Sequence, residues 1–414
     1  MPTDNTHTHT VAMLAHTRYL RDPRVRREAE ALAEMGVEVH VIGLSEDGQP
    51  PQSAVNGVQV HRLPIGRKRG SMLRYVYEYL ATMVLGGLKL TQLHWRRRLD
   101  VVHIHNMPDF LVFAAIAPRL SGSRVILDVH DPMPELYMSW KHGALGRLLV
   151  GALRLQERIS CAVADHVVSV NETMRENLRS KGIRDEKIFI VHNFPDQRLF
   201  PMCDPVASWP RSKDSLVLLY CGTVTEHYDL GLAVKAIASL KNEIPITLRI
   251  LGEGNRLNEV LDLASTLGVR DSIEHIGSVS IDKVRHEMQQ ADVGISCHSS
   301  GVFGDLYFST KIVEYLTQGL PVLSPRTYTI AKYLPEDCVF YFEPGSDADF
   351  ADNLRRMWQN PAEVLKRLTR ARDVLPRLSW QAEKAVFRSY YTDVLNRRSP
   401  ASRVVTQEGT LRLP

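Results

Sequence analysis

The sequence predicts an α/β protein of two domains, each a doubly wound parallel sheet. Three features lead there: the chain length, the alternation of short apolar runs with helix-length periodic stretches, and one interruption of that alternation near the middle. At 414 residues the chain suits two domains, each large enough to bury its own core. The apolar runs are rich in Val, Ile and Leu, as strands covered on both faces require.

In the first half the expected strands are 11–15, 37–44, 58–63, 101–104, 124–129, 166–170 and 188–191. Helices fit at 24–35, 110–120 and 172–181, with Gly36 and Gly182 as C-terminal caps. Around 194–213 Pro, Asp, Ser and Trp replace the periodic text. That places a linker at 201–213, between domains at 1–200 and 214–376, with a hinge near Trp209. The alternation resumes with strands at 216–221, 246–251, 273–276, 293–297, 321–323 and 339–342, and helices at 230–240, 255–267, 281–290 and 310–318. Such β-α-β order implies right-handed crossovers and a ligand outside the C-terminal strand ends, in a cleft at the domain boundary. A last amphipathic helix at 380–395, within a C-terminal segment 377–398, is expected to finish the second domain. Residues 399–414 read as a disordered tail.

Composition narrows the class. The chain is 44% hydrophobic and 24% charged, ordinary for a globular α/β protein. A net charge of +4 gives no reason to expect nucleic acid. Its basic residues cluster at 18–27, 67–74 and 96–98, either as solvated helix faces or as a surface for anionic lipid or a phosphorylated substrate. The five cysteines lack C-x-x-C spacing, which fits a reducing compartment and a cytoplasmic location. His7 and His9 fall in a polar N-terminal stretch without a signal pattern. His103 and His105 have no third ligand at metal spacing, and no Asp-x-Asp occurs in a suitable loop, so neither a metal nor a cofactor is expected. Nothing fixes the oligomeric state.

The most informative segment is 306–322, which follows a Ser/Gly/Asp-rich loop and opens a helix closed by Gly319 and Pro321. Ser309 or Thr310 can cap that helix, whose N-terminus suits a diphosphate. Lys311 adds positive charge, and Glu314, one turn on, is placed to accept hydrogen bonds from vicinal hydroxyls such as those of a ribose.

This segment resembles the donor-site helix of retaining GT-B glycosyltransferases, glycosyltransferase family four. The similarity extends through Asp22-Pro-Arg-Val-Arg-Arg-Glu, Val101-Val-His-Ile-His, Asp128-Val-His-Asp-x-x-Pro-Glu135, Tyr220-Cys-Gly-Thr-Val-Thr-Glu, Leu251-Gly-Glu-Gly, His275-Ile-Gly-Ser-Val and Ala291-Asp-Val-Gly. The resemblance implies two facing Rossmann-like domains with a nucleotide-sugar donor in the C-terminal one. It implies that Glu314 binds the donor ribose and that the backbone at Ser309 and Thr310 contacts diphosphate and sugar. Gly222 and Thr223 would border the diphosphate, Gly277 and Val279 the nucleobase, and His130 would be catalytic. The implied reaction moves a hexosyl-type sugar from a UDP- or GDP-linked donor to a hydroxyl of a glycan, lipid-linked or small-molecule acceptor. It would proceed with retention and without metal, as in bacterial polysaccharide or glycoconjugate synthesis.

Two departures stand out. The first glutamate of the family's E-x7-E falls on Leu306, with Asp305 one residue away, and the family's Arg/Lys clamp positions read Thr223 and Tyr228. Lys311, Arg326 and His227, or Arg18, Arg21 and Arg24, are candidates to replace that charge. Those departures keep open a catalytically silent sugar-nucleotide-binding or partner-binding protein; a nucleotide-sugar epimerase would use the same pocket. A dinucleotide oxidoreductase is disfavoured, because no G-x-G-x-x-G follows the first strand. The stretches 101–105 and 133–135 are expected on the acceptor side. Residues 72–93 read as a helix with basic flanks, interrupted by Glu78 and Lys89 and therefore not membrane-spanning. It is either a core helix, the favoured reading, or an interfacial one at the inner face of the membrane, suited to a lipid-linked acceptor.

Overall fold

The computed structural model describes residues 8–66, 72–138, 143–203, 208–211, 214–299 and 301–397. The expected tail 399–414, the basic residues 67–69 and His7 lie outside the described residues. The chain forms two compact units, Met1–Asn193 with Lys384–Pro414, and Phe194–Glu383.

The strands of unit 1 are β1 (Thr10–Ala15), β2 (Glu38–Leu44), β3 (Gln52–Val55), β4 (Val58–Leu63), β5 (Val101–His105), β6 (Arg124–Val129), β7 (His166–Ser169) and β8 (Ile188–Ile190). They lie in the order β3-β4-β2-β1-β5-β6-β7-β8. Every pairing is parallel except β3 with β4, a short edge hairpin whose first strand, β3, is missing from the sequence reading. Every residue of β1 and β5 is buried, as central parallel strands require. The strand order reverses between β1 and β5, so the switch-point crevice of this unit lies at their C-terminal ends.

The helices of this unit include α1 (Pro23–Ala33), α2 (Met72–Arg97), α3 (Ile116–Leu120), α4 (Met133–Met138), α5 (Ala144–Val163) and α6 (Glu172–Ser180). Asp22 caps α1 by accepting from the Arg24 N–H, with Pro23 in the first turn. The helix expected at 110–120 is a tight 3-10 run, Asp109–Ala115, continued by α3.

Unit 2 has strands β9 (Leu216–Cys221), β10 (Ile246–Leu251), β11 (Ile273–His275), β12 (Val293–Ile295), β13 (Val322–Pro325) and β14 (Phe340–Phe342). All are parallel, in the order β11-β10-β9-β12-β13-β14, with the reversal between β9 and β12. Its helices are α7 (Leu230–Leu240), α8 (Leu257–Thr266), α9 (Ile281–Gln290), α10 (Thr310–Thr317), α11 (Tyr328–Tyr333), α12 (Asp347–Gln359) and α13 (Pro361–Val374).

Two expectations are corrected. The final helix, α14 (Trp380–Leu395), does not finish the second domain; from Lys384 it packs in unit 1. Tyr391 Oη lies 2.7 Å from His103 Nδ1, and Tyr390 stacks on Phe189 at 4.1 Å, so its aromatic face completes the unit 1 core. Lys384 and Arg388 pair with Glu34 of the same unit. The linker expectation also shifts, since unit 2 begins at Phe194. Trp209 is an anchor in the unit 2 core and not a hinge: it is buried, and its Nε1–H donates to the Asp292 carbonyl at 2.8 Å.

Candidate functional site

In unit 2 the loops after β9, β10 and β12 are laced together at the switch point. The Gly222 N–H donates to the Leu251 carbonyl at 3.0 Å, Val224 N–H to Glu253 at 3.0 Å, and Arg256 N–H to Val224 at 3.1 Å. This backbone-to-backbone approach needs glycine: a Cβ on Gly254 would lie 1.9 Å from the Val224 oxygen, and one on Gly252 1.9 Å from that of Gly222. The Asp229 N–H donates to the Cys297 carbonyl at 2.7 Å and Ser299 N–H to His227 at 3.1 Å, tying the loop after β9 to the chain leaving β12. Gly222 and Thr223 thus stand beside the switch point.

Helix α10 enters next to them. Ile312, Val313, Tyr315 and Leu316 are buried, which fixes the helix on the sheet. Its Tyr315 hydroxyl accepts the Cys221 N–H at 2.8 Å, at the end of β9. Ser309 is the N-cap residue but makes no side-chain capping bond, contrary to the expectation that it or Thr310 would. The Ile312 N–H donates to the Ser309 carbonyl at 3.2 Å, while no side chain caps the Thr310 and Lys311 N–H groups, which keep their capacity to bind an anion. Lys311 Nζ donates to Glu314 Oε2 at 2.7 Å. Burial works against the charge on Lys311, and Glu314 more than offsets it, holding the ammonium above its ordinary range.

The other proposed replacements for the Arg/Lys clamp fall away in part. Arg326 is paired with Glu336 and half exposed. Burial lowers the pKa of His227, so its neutral imidazole adds no cation. Arg24 is held by Asp22, whose carboxyl stays down at about 2 against the effect of burial. Tyr228, at one clamp position, packs edge-on against His298 at 5.0 Å. Leu306 is buried, an apolar residue of the unit core, while Asp305 is half buried and its carbonyl accepts the Thr329 hydroxyl. Gly277, with φ of 83°, turns the chain at the end of β11, and Val279 follows half buried. A cavity of about 450 Å³ lies against Ile276, but its lining of Arg249, Glu274, His286, Glu287 and Gln290 includes no residue of α10.

In unit 1, His130 follows β6. Its N–H donates to Asn106 Oδ1 at 3.2 Å, and Asn106 Nδ2 in turn reaches Asp109 Oδ1 and the Asp131 carbonyl, each at 2.8 Å. His130 Nδ1 lies 3.4 Å from Asp128 Oδ2. Asp128 Oδ2 also sits 3.0 Å from His105 Nδ1. Glu135, expected on the acceptor side, is buried in an ion network, bonded to Lys181 at 2.9 Å. The histidines set aside for lack of a third ligand have carboxylate neighbours: donor atoms of Glu28, His103, His105 and Asp128 all lie within 4.8 Å of one another. Glu28, Asn106 and Asp109 were missed in the sequence because each acts through partners brought in from other elements. His130 belongs to unit 1, and Gly222, Thr223, Gly277, Val279, Ser309, Thr310, Lys311, Glu314 and Arg326 to unit 2.

Two parallel-sheet α/β domains in succession, the second with a helix N-terminus at its switch point, define a GT-B glycosyltransferase architecture. Residues 22–193 match the model of the glycosyl transferase 4-like domain, and 206–373 that of the glycosyl transferases group 1. The chain belongs to the group 1 glycosyltransferases, family four, and is a transferase enzyme. It is 20% identical to N-acetyl-alpha-D-glucosaminyl L-malate synthase of Bacillus anthracis, over 88% of this chain and 91% of that protein. Among solved structures it resembles sucrose-phosphate synthase of Thermosynechococcus elongatus, with TM-score 0.76 and 14% identity over 94% of this chain and 100% of that one. It also resembles Anabaena HepE in complex with UDP-glucose, with TM-score 0.68 and 11% identity over 93% and 99% of the two chains. At these identities the structural likeness concerns the fold.

Proposed function

We propose that this glycosyltransferase transfers a hexosyl-type sugar from a UDP- or GDP-linked donor seated at the N-terminus of α10. The observation that carries the reading is the unbonded N-cap of that helix at the β9/β12 switch point, with Lys311 and Glu314 on its first turns. Backbone N–H groups and Lys311, rather than a metal ion, offset the diphosphate charge as the leaving group departs. Glu314 accepts the ribose hydroxyls, and Asp305 stands in for the glutamate that Leu306 replaces. His130, in unit 1, is the proposed catalytic residue. Retention by front-face attack, with the departing phosphate accepting the proton of the acceptor hydroxyl, needs no further base. HepE, by its description, binds UDP-glucose, which favours UDP as the base to try first. Thermal shift with UDP, GDP and dTDP tests the pocket. UDP or GDP should raise the melting temperature, and Glu314→Ala should reduce that rise; the reading fails if no nucleotide shifts it.

The acceptor is proposed to be lipid-linked, reached from the inner face of a membrane. No described helix is long and apolar enough to cross one. Helices α2 and α5, which both pack on the 3-10 run Asp109–Ala115, nevertheless expose a broad apolar face. It includes Leu73, Tyr77, Leu88 and Trp95 on α2, and Leu145, Leu148, Leu155 and Ile159 on α5. The acids of the two helices, Glu78 and Glu157, are both buried, so the exposed charges there are basic, among them Arg96, Arg97, Arg147, Arg154 and Arg158. An apolar stripe rimmed by cations fits an anionic lipid surface. The favoured core-helix reading of 72–93 is thus revised: α2 is half core, half exposed. Flotation with vesicles of anionic and of zwitterionic lipid checks this. Anionic vesicles should carry the protein, and Leu148→Glu should release it.

A further inference from the structure

Beneath His130, unit 1 holds a set of polar atoms that nothing in the donor reading uses. His103 and His105 are alternate residues of β5, so both rings project from one face of the sheet, where they stack at 4.2 Å. Asp128 comes from the adjacent strand β6, directly across the ladder from His105. Glu28 comes from α1, which lies over that face. All four are buried, and a donor atom from each lies within 4.8 Å of the others.

Burial alone does not distinguish a hydrogen-bonded cluster from a ligand set. The unpartnered atoms do. Each histidine has its Nδ1 occupied, His103 by Tyr391 Oη at 2.7 Å and His105 by Asp128 Oδ2 at 3.0 Å. Each leaves its Nε2 buried with no hydrogen-bond partner, and so do Glu28 Oε2 and Asp128 Oδ1. Four orphaned buried atoms in one place are costly, since unpaired polar groups in the interior forfeit their hydration. The pattern is that of a metal site: ligating imidazoles hold their second nitrogen in a hydrogen bond to an oxygen, which fixes ring orientation and tautomer.

We propose that Glu28, His103 and His105 bind one divalent transition-metal ion, Zn²⁺ foremost, with Asp128 behind His105 as the acceptor of its Nδ1–H. Two neutral imidazoles and one carboxylate, with a fourth position for water, form a donor set that suits zinc. The ion ties α1 and β5 and, through Asp128 and Tyr391, β6 and α14 into one unit. It is a structural ion that fixes Asp128 and the loop bearing His130; it takes no part in holding the diphosphate at α10. The inference stands apart from the identity of donor and acceptor.

The test uses full-length protein, any affinity tag removed, stripped with chelator and titrated with Zn²⁺ or Co²⁺ alone. We expect one equivalent of Co²⁺ to give the visible d–d bands of a low-symmetry nitrogen–oxygen site, and Zn²⁺ to raise the melting temperature. Tyr391→Phe, which keeps the ring but removes the partner of His103, should weaken binding by about 10- to 100-fold. Glu28→Gln should abolish the Co²⁺ bands. Absence of both the bands and the Zn²⁺ shift in the unsubstituted protein would overturn the proposal, leaving a hydrogen-bonded acid–histidine network. Bands unchanged in Glu28→Gln would also overturn it, by placing the ion elsewhere.

Discussion

At the scale of single residues, the donor loop shows how little freedom a switch point has. Gly254→Ala would drive a methyl into the Val224 carbonyl, which is backbone and cannot swing aside. We expect a loss of about 1–3 kcal/mol from overpacking, read by chemical denaturation, together with weaker nucleotide binding because the displaced chain carries Gly222 and Thr223. Glu157 behaves differently. Burial raises its carboxyl to about 7, despite a 2.6 Å bond from Lys181. A carboxyl raised in the folded state stabilises fully below its unfolded value of about 4.5 and loses that contribution as pH climbs through 7. Glu157→Gln keeps an oxygen for Lys181 and removes the titration. Its stability relative to the unsubstituted protein should therefore increase from pH 5 to pH 8, by up to about 3 kcal/mol. A difference independent of pH would refute the assignment.

At the scale of elements, the strands were legible because Val, Ile and Leu concentrate where both faces are covered, and most expected strands fall within a residue or two of the observed ones. Helix α10 and its site residues were legible because loop, helix start, Lys311 and Glu314 are contiguous in the chain. Helix α5 was not. Its outward face carries Leu145, Leu148, Leu155 and Ile159, so the polar half of the amphipathic pattern is blurred. The cluster around His105 was hidden for another reason: Glu28 lies 77 residues before it, and only the fold joins them. The return of α14 to unit 1 was equally invisible, since an aromatic helix face does not reveal which core it fills. That return makes a prediction. Phe387, Tyr390, Tyr391 and Val394 are all buried. Deleting residues from 380 onward should strip hydrogen-exchange protection from β5, β7 and β8 while leaving β9, β10 and β12 protected. Uniform retention of protection would show that α14 is dispensable to unit 1.

At the scale of the whole molecule, both units contain histidines held neutral by burial, and this sets an acid limit on stability. Burial lowers His61 and His166 of unit 1 to about 4, helped by Lys89 and by Arg124 respectively, and lowers His298 of unit 2 to about 3. The ordinary imidazole value is about 6.5. Above that value neither folded nor unfolded chain binds these protons, and the three residues leave stability unchanged. As pH falls below 6.5 the unfolded chain takes them up while the folded chain does not, so stability declines until the folded values near 4 and 3 are reached. Each residue contributes on the order of 1–3 kcal/mol of that decline. Calorimetry of the Glu157→Gln protein, in which that titration is absent, should show a flat melting temperature from pH 7.5 to 6.5 and a steepening fall from there to pH 4.5. His166→Asn should shallow the fall for unit 1, and His298→Asn, which keeps an acceptor for the Ser296 hydroxyl at the position of the 2.8 Å contact, should shallow it for unit 2. An acid transition unaffected by both substitutions would transfer the limit to the carboxylates, which lose their ion pairs only at lower pH.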